Sequence, residues 1–332
     1  SWKPFRISEP NFSGRPRMNR HPFLTSMVLA SFLTFQTAIQ PLVVRELVPG
    51  DSVSSACILI TEILKVFTCV VIYYFMEHRN HPKRSWNKLV SLKTSVSTAA
   101  LPAIVYAAQN IAITHAQRNL DGLSYNIINQ SKLLSAAVMS YFVLGRKQNR
   151  GQVLSLMCLV LASAMAIIST SRNDGESFST LSGMMAALAA SSLSGLSGVL
   201  SDKALQVKSR NTFLFSAELS SYVIVTMLVG FAFDFFWDPE NSELSRIIAA
   251  GGLLPAAGIR SLGSSPVLIP ITLAAFGGIL VGQVTKRVGS VRKGCAVCGG
   301  IVIAALIDGL TRGGTGWLLL LSIPLAVTAV SS

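Results

Sequence analysis

Apolar residues in this 332-residue chain gather into ten runs, near 23–44, 53–76, 94–113, 122–144, 152–169, 179–201, 213–233, 266–284, 294–307 and 315–330. Uncharged runs of this length read as membrane-crossing helices, because about 20 apolar residues at helical rise span the hydrocarbon core. The ninth reaches spanning length only when the residues before Gly294 are counted with it. The stretch 234–265 holds Asp238-Pro239-Glu240 and Gly251-Gly252, and its apolar patch at 247–259 is too short to cross. It therefore reads as a loop. The first run is too long for the apolar part of a cleaved signal and lacks a small-residue cleavage site, so it is expected to stay as a helix. The pattern predicts an all-α membrane protein of ten transmembrane helices. Five and five make two inverted repeats, because an odd number of crossings forces the second half to enter in the opposite sense. The expected division is a tail at 1–22, a first repeat at 23–170 and a second at 171–332, with its loop at 234–265.

Composition fits this reading: 51% of residues are apolar and only 13% charged, with a net charge of +13. A soluble enzyme is excluded by that balance. In a soluble protein +13 would suggest nucleic acid, but placement matters more than size. Segments on one side of the ten-helix plan sum to +17 and the alternate segments to −4, while Glu62, Lys65, Lys132 and Glu218 cancel inside the runs. Lys and Arg are retained on the cytosolic side of short loops. Both termini are therefore expected in the cytosol, lipid is the surrounding partner, and nucleic acid is dropped. The sequence leaves homo-oligomerisation open.

Polar residues inside the runs carry the candidate chemistry. Lys132 sits mid-run, where a charge costs about 2.5–3.5 kcal/mol on insertion scales. At helical spacing Tyr125, Asn129, Lys132 and Ser135 share a face, and Tyr106, Asn110 and Thr114 make a second such stripe. Lys132 reads either as ligand-facing or as an ion-pair partner of Glu218. Thr61-Glu62-Ile63-Leu64-Lys65 places opposite charges at i,i+3, so Lys65 is either a structural partner of Glu62 or a further cation of the cavity, and Glu62 a proton site. Lysines without surplus carboxylate favour an anion, and tyrosine with asparagine suits a heteroaromatic ring, so a nucleotide has both parts. Cys295 and Cys298 read as packing residues, and His21, His78, His81 and His115 have no partner at metal spacing. Neither a metal nor another cofactor is expected. Glycines 277, 278, 282, 289, 294, 299 and 300 make the eighth and ninth runs thin-sided, for close packing or for sliding.

Five stretches carry a resemblance. They are Thr61 to Lys65, Leu101-Pro102 through Tyr106 to Gln109-Asn110, and Tyr125 through Gln130-Ser131-Lys132. The other two are Gly195-Leu196-Ser197-Gly198-Val199 through Asp202-Lys203 to Arg210-Asn211, and Gly277-Gly278 through Lys286 to Lys293-Gly294. In this order they resemble the Golgi nucleotide-sugar transporters, the group of CMP-sialic acid, UDP-galactose and UDP-N-acetylglucosamine carriers in the drug/metabolite transporter superfamily. The resemblance implies no enzyme activity. It implies a central cavity in which Lys132 and Lys293 meet phosphate, Tyr106, Asn110, Tyr125 and Asn211 meet base or ribose, and Gly195 leaves room for the base, with Lys65 a looser match; Asn129, a substrate-binding candidate from its place on the Lys132 stripe, stands where the family usually has tyrosine. It also implies exchange of a cytosolic nucleotide sugar, UDP-linked before CMP-linked, for the lumenal nucleoside monophosphate by alternating access. Residence follows as the Golgi membrane, with the ER as alternative. Departures, such as Ser131 before the fourth-run lysine and Asp202 where glutamate is usual, fall near the sugar and base ends. The competing readings are another phosphate-ester or drug/metabolite carrier of the same fold, and an intramembrane transferase, which would need more carboxylates than the runs hold.

Overall fold

A computed structural model describes residues 20–49, 52–80, 95–120, 122–146, nine positions within 151–165, 181–208, 210–240, 242–259 and 265–312. The tail at 1–19, the tenth run and most of the fifth lie outside the described residues. Every regular element described is helical. In chain order they are α1 (Arg20–Leu47), α2 (Ser54–Asn80), α3 (Leu101–Asn119), α4 (Gly122–Asn129) and α5 (Lys132–Leu144), then α6 (Leu181–Asp202) and α7 (Thr212–Trp237). Two short helices follow, α8 (Glu243–Ala249) and α9 (Leu253–Ala256), and then α10 (Leu268–Val288) and α11 (Ser290–Arg312). Wide π turns at Val96–Ala100 and Lys203–Val207 open α3 and close α6.

Seven helical segments among the described residues, one of them running from α4 through α5, are long and apolar enough to cross a membrane. Their outward faces carry Phe35, Phe67, Ile111, Phe142 and Trp237, a surface suited to lipid rather than water. The chain is a multi-pass membrane protein. The ninth run, short on its own, becomes the 23-residue α11 because the helix starts at Ser290. Local sequence accounts for the ends. Pro102 occupies the first turn of α3, where its missing N–H costs nothing. Gly145 closes α5 in the left-handed conformation (φ 67°), its N–H donating to the Tyr141 carbonyl at 3.0 Å and the Arg146 N–H to that of Ser140 at 3.4 Å.

The connection 234–265 is not a plain loop. It holds α8 and α9, whose Ile247, Ala256 and Ala257 pack with Val53 and Ala56 at the start of α2. Ser55 bonds Glu243 at 2.5 Å and the Val53 N–H reaches the Ala256 carbonyl at 2.7 Å. The patch at 247–259 is apolar because it covers one end of the bundle, although it is too short to span it.

Helix packing follows a reciprocal scheme. In one half of the bundle α1 lies on α10 and α11, while α6 lies on α3, α4 and α5. Between them α2 packs on α7 and α10, and α7 on α2 and α3. The C-terminal ends of α2, α5, α6 and α10 meet the starts of α7 and α11 at one end of the bundle. That end is the basic one, carrying Arg146, Arg210, Lys286 and Arg287.

Candidate functional site

The fourth run is broken where the sequence pattern reads as continuous. At Gln130–Ser131 the N–H groups of Gln130, Ser131 and Leu133 bond back three residues, to Ile127, Ile128 and Gln130, at 3.1, 3.0 and 3.2 Å. The tighter turn ends α4 and starts α5. Lys132 thus becomes the first residue of a helix inside a membrane span. The i,i+3 and i,i+4 stripe of Tyr125, Asn129, Lys132 and Ser135 is consequently not one unbroken helical face.

Lys293 stands in an equivalent setting. Gly289, at φ 87°, ends α10 and lets α11 begin at Ser290, which puts Lys293 in the first turn of the new helix. The two lysines come close enough for their charges to repel. Both are half-buried, and among the described residues neither ammonium has a hydrogen-bond or ion-pair partner. A helix N-terminus is itself electropositive and stabilises anions, so a cation there is at the unfavourable end. Two such lysines on two helix starts leave a strong positive potential with no counter-charge in contact among the described residues. An oxyanion would relieve it.

Helix α6 is the post about which these groups assemble. A Cβ built on Gly195 would lie 2.6 Å from the Ala136 nitrogen and 2.7 Å from the Ser135 carbonyl carbon, so only glycine lets α5 approach this closely. The space expected for the base is filled by α5 backbone, and what Gly195 positions is the helix that begins at Lys132. One turn on, a Cβ at Gly198 would meet Lys293 Nζ at 3.7 Å, an ordinary contact, so the Lys293 ammonium lies over Gly198. Between the two glycines, Ser197 bonds Gln109 at 3.4 Å and lies beside Tyr106. Tyr106, Gly195, Lys132 and Lys293 are therefore gathered on one stretch of α6.

Lys65 joins from the side. Its Nζ pairs with Glu62 Oε1 at 2.6 Å, and its stem crosses α10 at Gly278, where a Cβ would come within 2.6 Å of Lys65 Cε. Being neutralised, Lys65 adds little to the positive potential, while Glu62 sits within electrostatic reach of Tyr106. Glu218 pairs with Arg210 and not with Lys132. The ion-pair alternative for Lys132 is thus settled against.

Two of the expected residues, Tyr125 and Asn211, are engaged elsewhere. Tyr125 is buried among Ala116, Leu120 and Ala187, near the start of α6. Asn110 is exposed and Asn129 half-buried. Asn211 caps α7, its side chain accepting from the N–H groups of Phe213 and Leu214 at 3.0 and 3.4 Å. It also lines a cavity of about 340 Å³ with Met76, Thr212, Phe213, Lys286 and Arg287, whose walls include neither Lys132 nor Lys293. Asn211→Ala is expected to lower stability by about 1 kcal/mol, the usual cost of losing an N-cap, while Asn211→Asp keeps most of it. Melting midpoints in detergent check this; equal loss in both variants would disprove the capping role. Gln109 and Ser197, which the residue pattern does not single out, belong to the cluster because α3 and α6 pack along their length.

Comparison with known proteins follows the same outline. The family model described as nucleotide-sugar transporter matches residues 23–312. A UDP-N-acetylglucosamine transporter of Arabidopsis thaliana is 28% identical over 305 residues, 90% of this chain and 88% of its own length. The human UDP-N-acetylglucosamine transporter is 27% identical over 77% of this chain and 76% of itself. The mouse UDP-galactose translocator is 27% identical over 78% of this chain and 64% of itself. A solved crystal structure superposes with a TM-score of 0.59 at 11% identity, covering 93% of this chain and 96% of that one, a likeness of fold.

Proposed function

Since the chain belongs to the nucleotide-sugar transporter family, whose members are carriers and not enzymes, we propose that it exchanges a cytosolic UDP-sugar for lumenal UMP across the Golgi membrane. The observation that carries this reading is the pair of ammoniums, Lys132 and Lys293, at two helix starts on α6, the second over Gly198, neither with a partner among the described residues. They suit a phosphate common to sugar donor and monophosphate product, so one site serves both directions of exchange. Tyr106, with Gln109 and Ser197 next to it, offers an aromatic face, one amide and a hydroxyl for base or ribose. Tyr125, Asn129, Asn110 and Asn211 complete the set in a second conformation of the carrier, in which α4 and α7 close on the ligand. UDP is favoured over CMP because the relatives named above carry UDP-sugars.

Alternating access is supported by the reciprocal packing. Exchanging first-half for second-half helices turns the seat of α1 on α10 and α11 into that of α6 on α3, α4 and α5, as two inverted five-helix repeats require. The ten crossings that the apolar runs predict put both termini on the cytosolic side in this reading. Binding alone does not drive exchange; substrate must stabilise the state between inward and outward forms more than either empty form.

A thermal-shift panel on purified protein tests the reading. UMP and UDP-sugars are expected to raise the melting midpoint with concentration, since a ligand of the folded state stabilises it by mass action. GDP-sugars and simple sugar phosphates are expected to raise it less. Equal stabilisation by any phosphate ester would replace the proposal with a general phosphate-ester carrier.

A further inference from the structure

At the basic end, one carboxylate holds three helix ends together. Asp202 closes α6 and is 1% exposed. Its Oδ2 accepts the Ser290 N–H at 3.0 Å and the Ser290 hydroxyl at 3.4 Å, which caps the first turn of α11 from a different helix. The same oxygen accepts from Arg146 Nη1 at 3.2 Å, two residues past the end of α5. Arg146 Nη2 donates to Gln206 Oε1 at 2.7 Å, and Gln206 Nε2 donates to the Thr285 carbonyl of α10 at 2.7 Å. Gly289 is required beneath this cluster. Its φ of 87° suits glycine, and a Cβ there would lie 3.1 Å from Asp202 Oδ2 and 3.3 Å from Arg146 Nη1.

The two helices so tied, α5 and α11, are those that begin with or near the site lysines. Asp202 Oδ1 is buried without a hydrogen-bond donor among the described residues, and Lys293, one turn beyond Ser290, is within its electrostatic reach. Asp202 is therefore both a clasp on the helix ends and a carboxylate that attracts a site ammonium. We propose that Asp202 is a positioning residue that latches the basic end of the carrier shut, and that opening this end requires it to release Arg146 or Ser290. The inference rests on the alternating-access reading above. Phosphate drawing on Lys293 removes one attraction holding Asp202 in place, so substrate favours release, whereas an empty site keeps the latch engaged.

Cys295 and Cys298 report on the latch directly, because they lie on α11 beyond Lys293, the second about 12 Å past Ser290 at 1.5 Å per residue. In a chain with Cys57, Cys69 and Cys158 replaced by serine, a membrane-impermeant maleimide is applied from the basic side of oriented proteoliposomes. Asp202→Ala is expected to raise the labelling rate of these cysteines about fivefold or more, a typical coupling magnitude. Exchange turnover should fall by a similar factor, with UMP stabilisation kept. Arg146→Ala, which removes the 43%-exposed partner and leaves the Ser290 cap, should shift labelling in the same direction if Asp202→Ala does not fold. Asp202→Glu should restore part of the turnover. Parental labelling and turnover in both alanine variants would overturn the latch. If the parent chain itself shows no UMP stabilisation, the transport reading fails, and the labelling comparison still decides the latch.

Discussion

Lys293→Ala is expected to abolish exchange of nucleotide sugar for monophosphate in proteoliposomes while the protein still inserts and folds. Losing a charge-assisted contact to phosphate weakens binding roughly 10- to 100-fold. Transport suffers further, because the differential stabilisation that drives the cycle comes from the same contact. The sign of the stability change is the sharper part of the expectation. Lys293 repels Lys132 and sits at the electropositive start of α11, so in the empty carrier its removal relieves strain. The ligand-free melting midpoint should therefore stay the same or rise, while its increase with UMP disappears. Lys132→Ala should behave alike, and Lys132→Glu worse, since a carboxylate beside the phosphate repels it. Undiminished exchange in either alanine variant would remove the basis of the proposed site.

Gly195→Val should prevent a stable fold. The built Cβ at this position meets backbone of α5 at 2.6 and 2.7 Å, and backbone, unlike a side-chain tip, cannot rotate away. Forcing extra atoms into such a contact costs about 1–3 kcal/mol where side chains can yield and more where they cannot. Separation of α5 from α6 would also carry Lys132 away from the Lys293 ammonium that lies over Gly198. Gly198→Ala is the control, since its Cβ would find ordinary contacts at 3.7 Å and the fold should survive. Size-exclusion profiles in detergent distinguish the two; a monodisperse, thermally normal Gly195→Val protein would contradict the close approach of these helices.

Reading particular residues shows where sequence patterning stops. Glu62 and Lys65 were legible as a pair because their spacing lies on one helix and needs no partner helix to bring them together. The apolar runs were legible because lipid demands length and low charge locally. The break at Gln130–Ser131 was not, since neither residue is a glycine or proline and the polar stretch from Asn129 to Lys132 is closely flanked by apolar residues on both sides. Asn211 had a local signal, a side-chain acceptor just before an apolar run, which marks an N-cap before it marks a ligand. The loop reading of 234–265 missed α8 and α9 because short helices depend on packing against a neighbour, here the start of α2.

The amino-acid order alone determined a multi-pass helical protein, the asymmetry of its charge, and two isolated lysines in apolar surroundings, since each follows from what a bilayer tolerates at a given position. Only the tertiary structure decided that Lys132 and Lys293 are neighbours on a post of small α6 residues, that Glu218 belongs to Arg210, and that Asp202 clasps three helix ends. Those outcomes depend on which helices touch, and touching is set by complementary surfaces many residues apart.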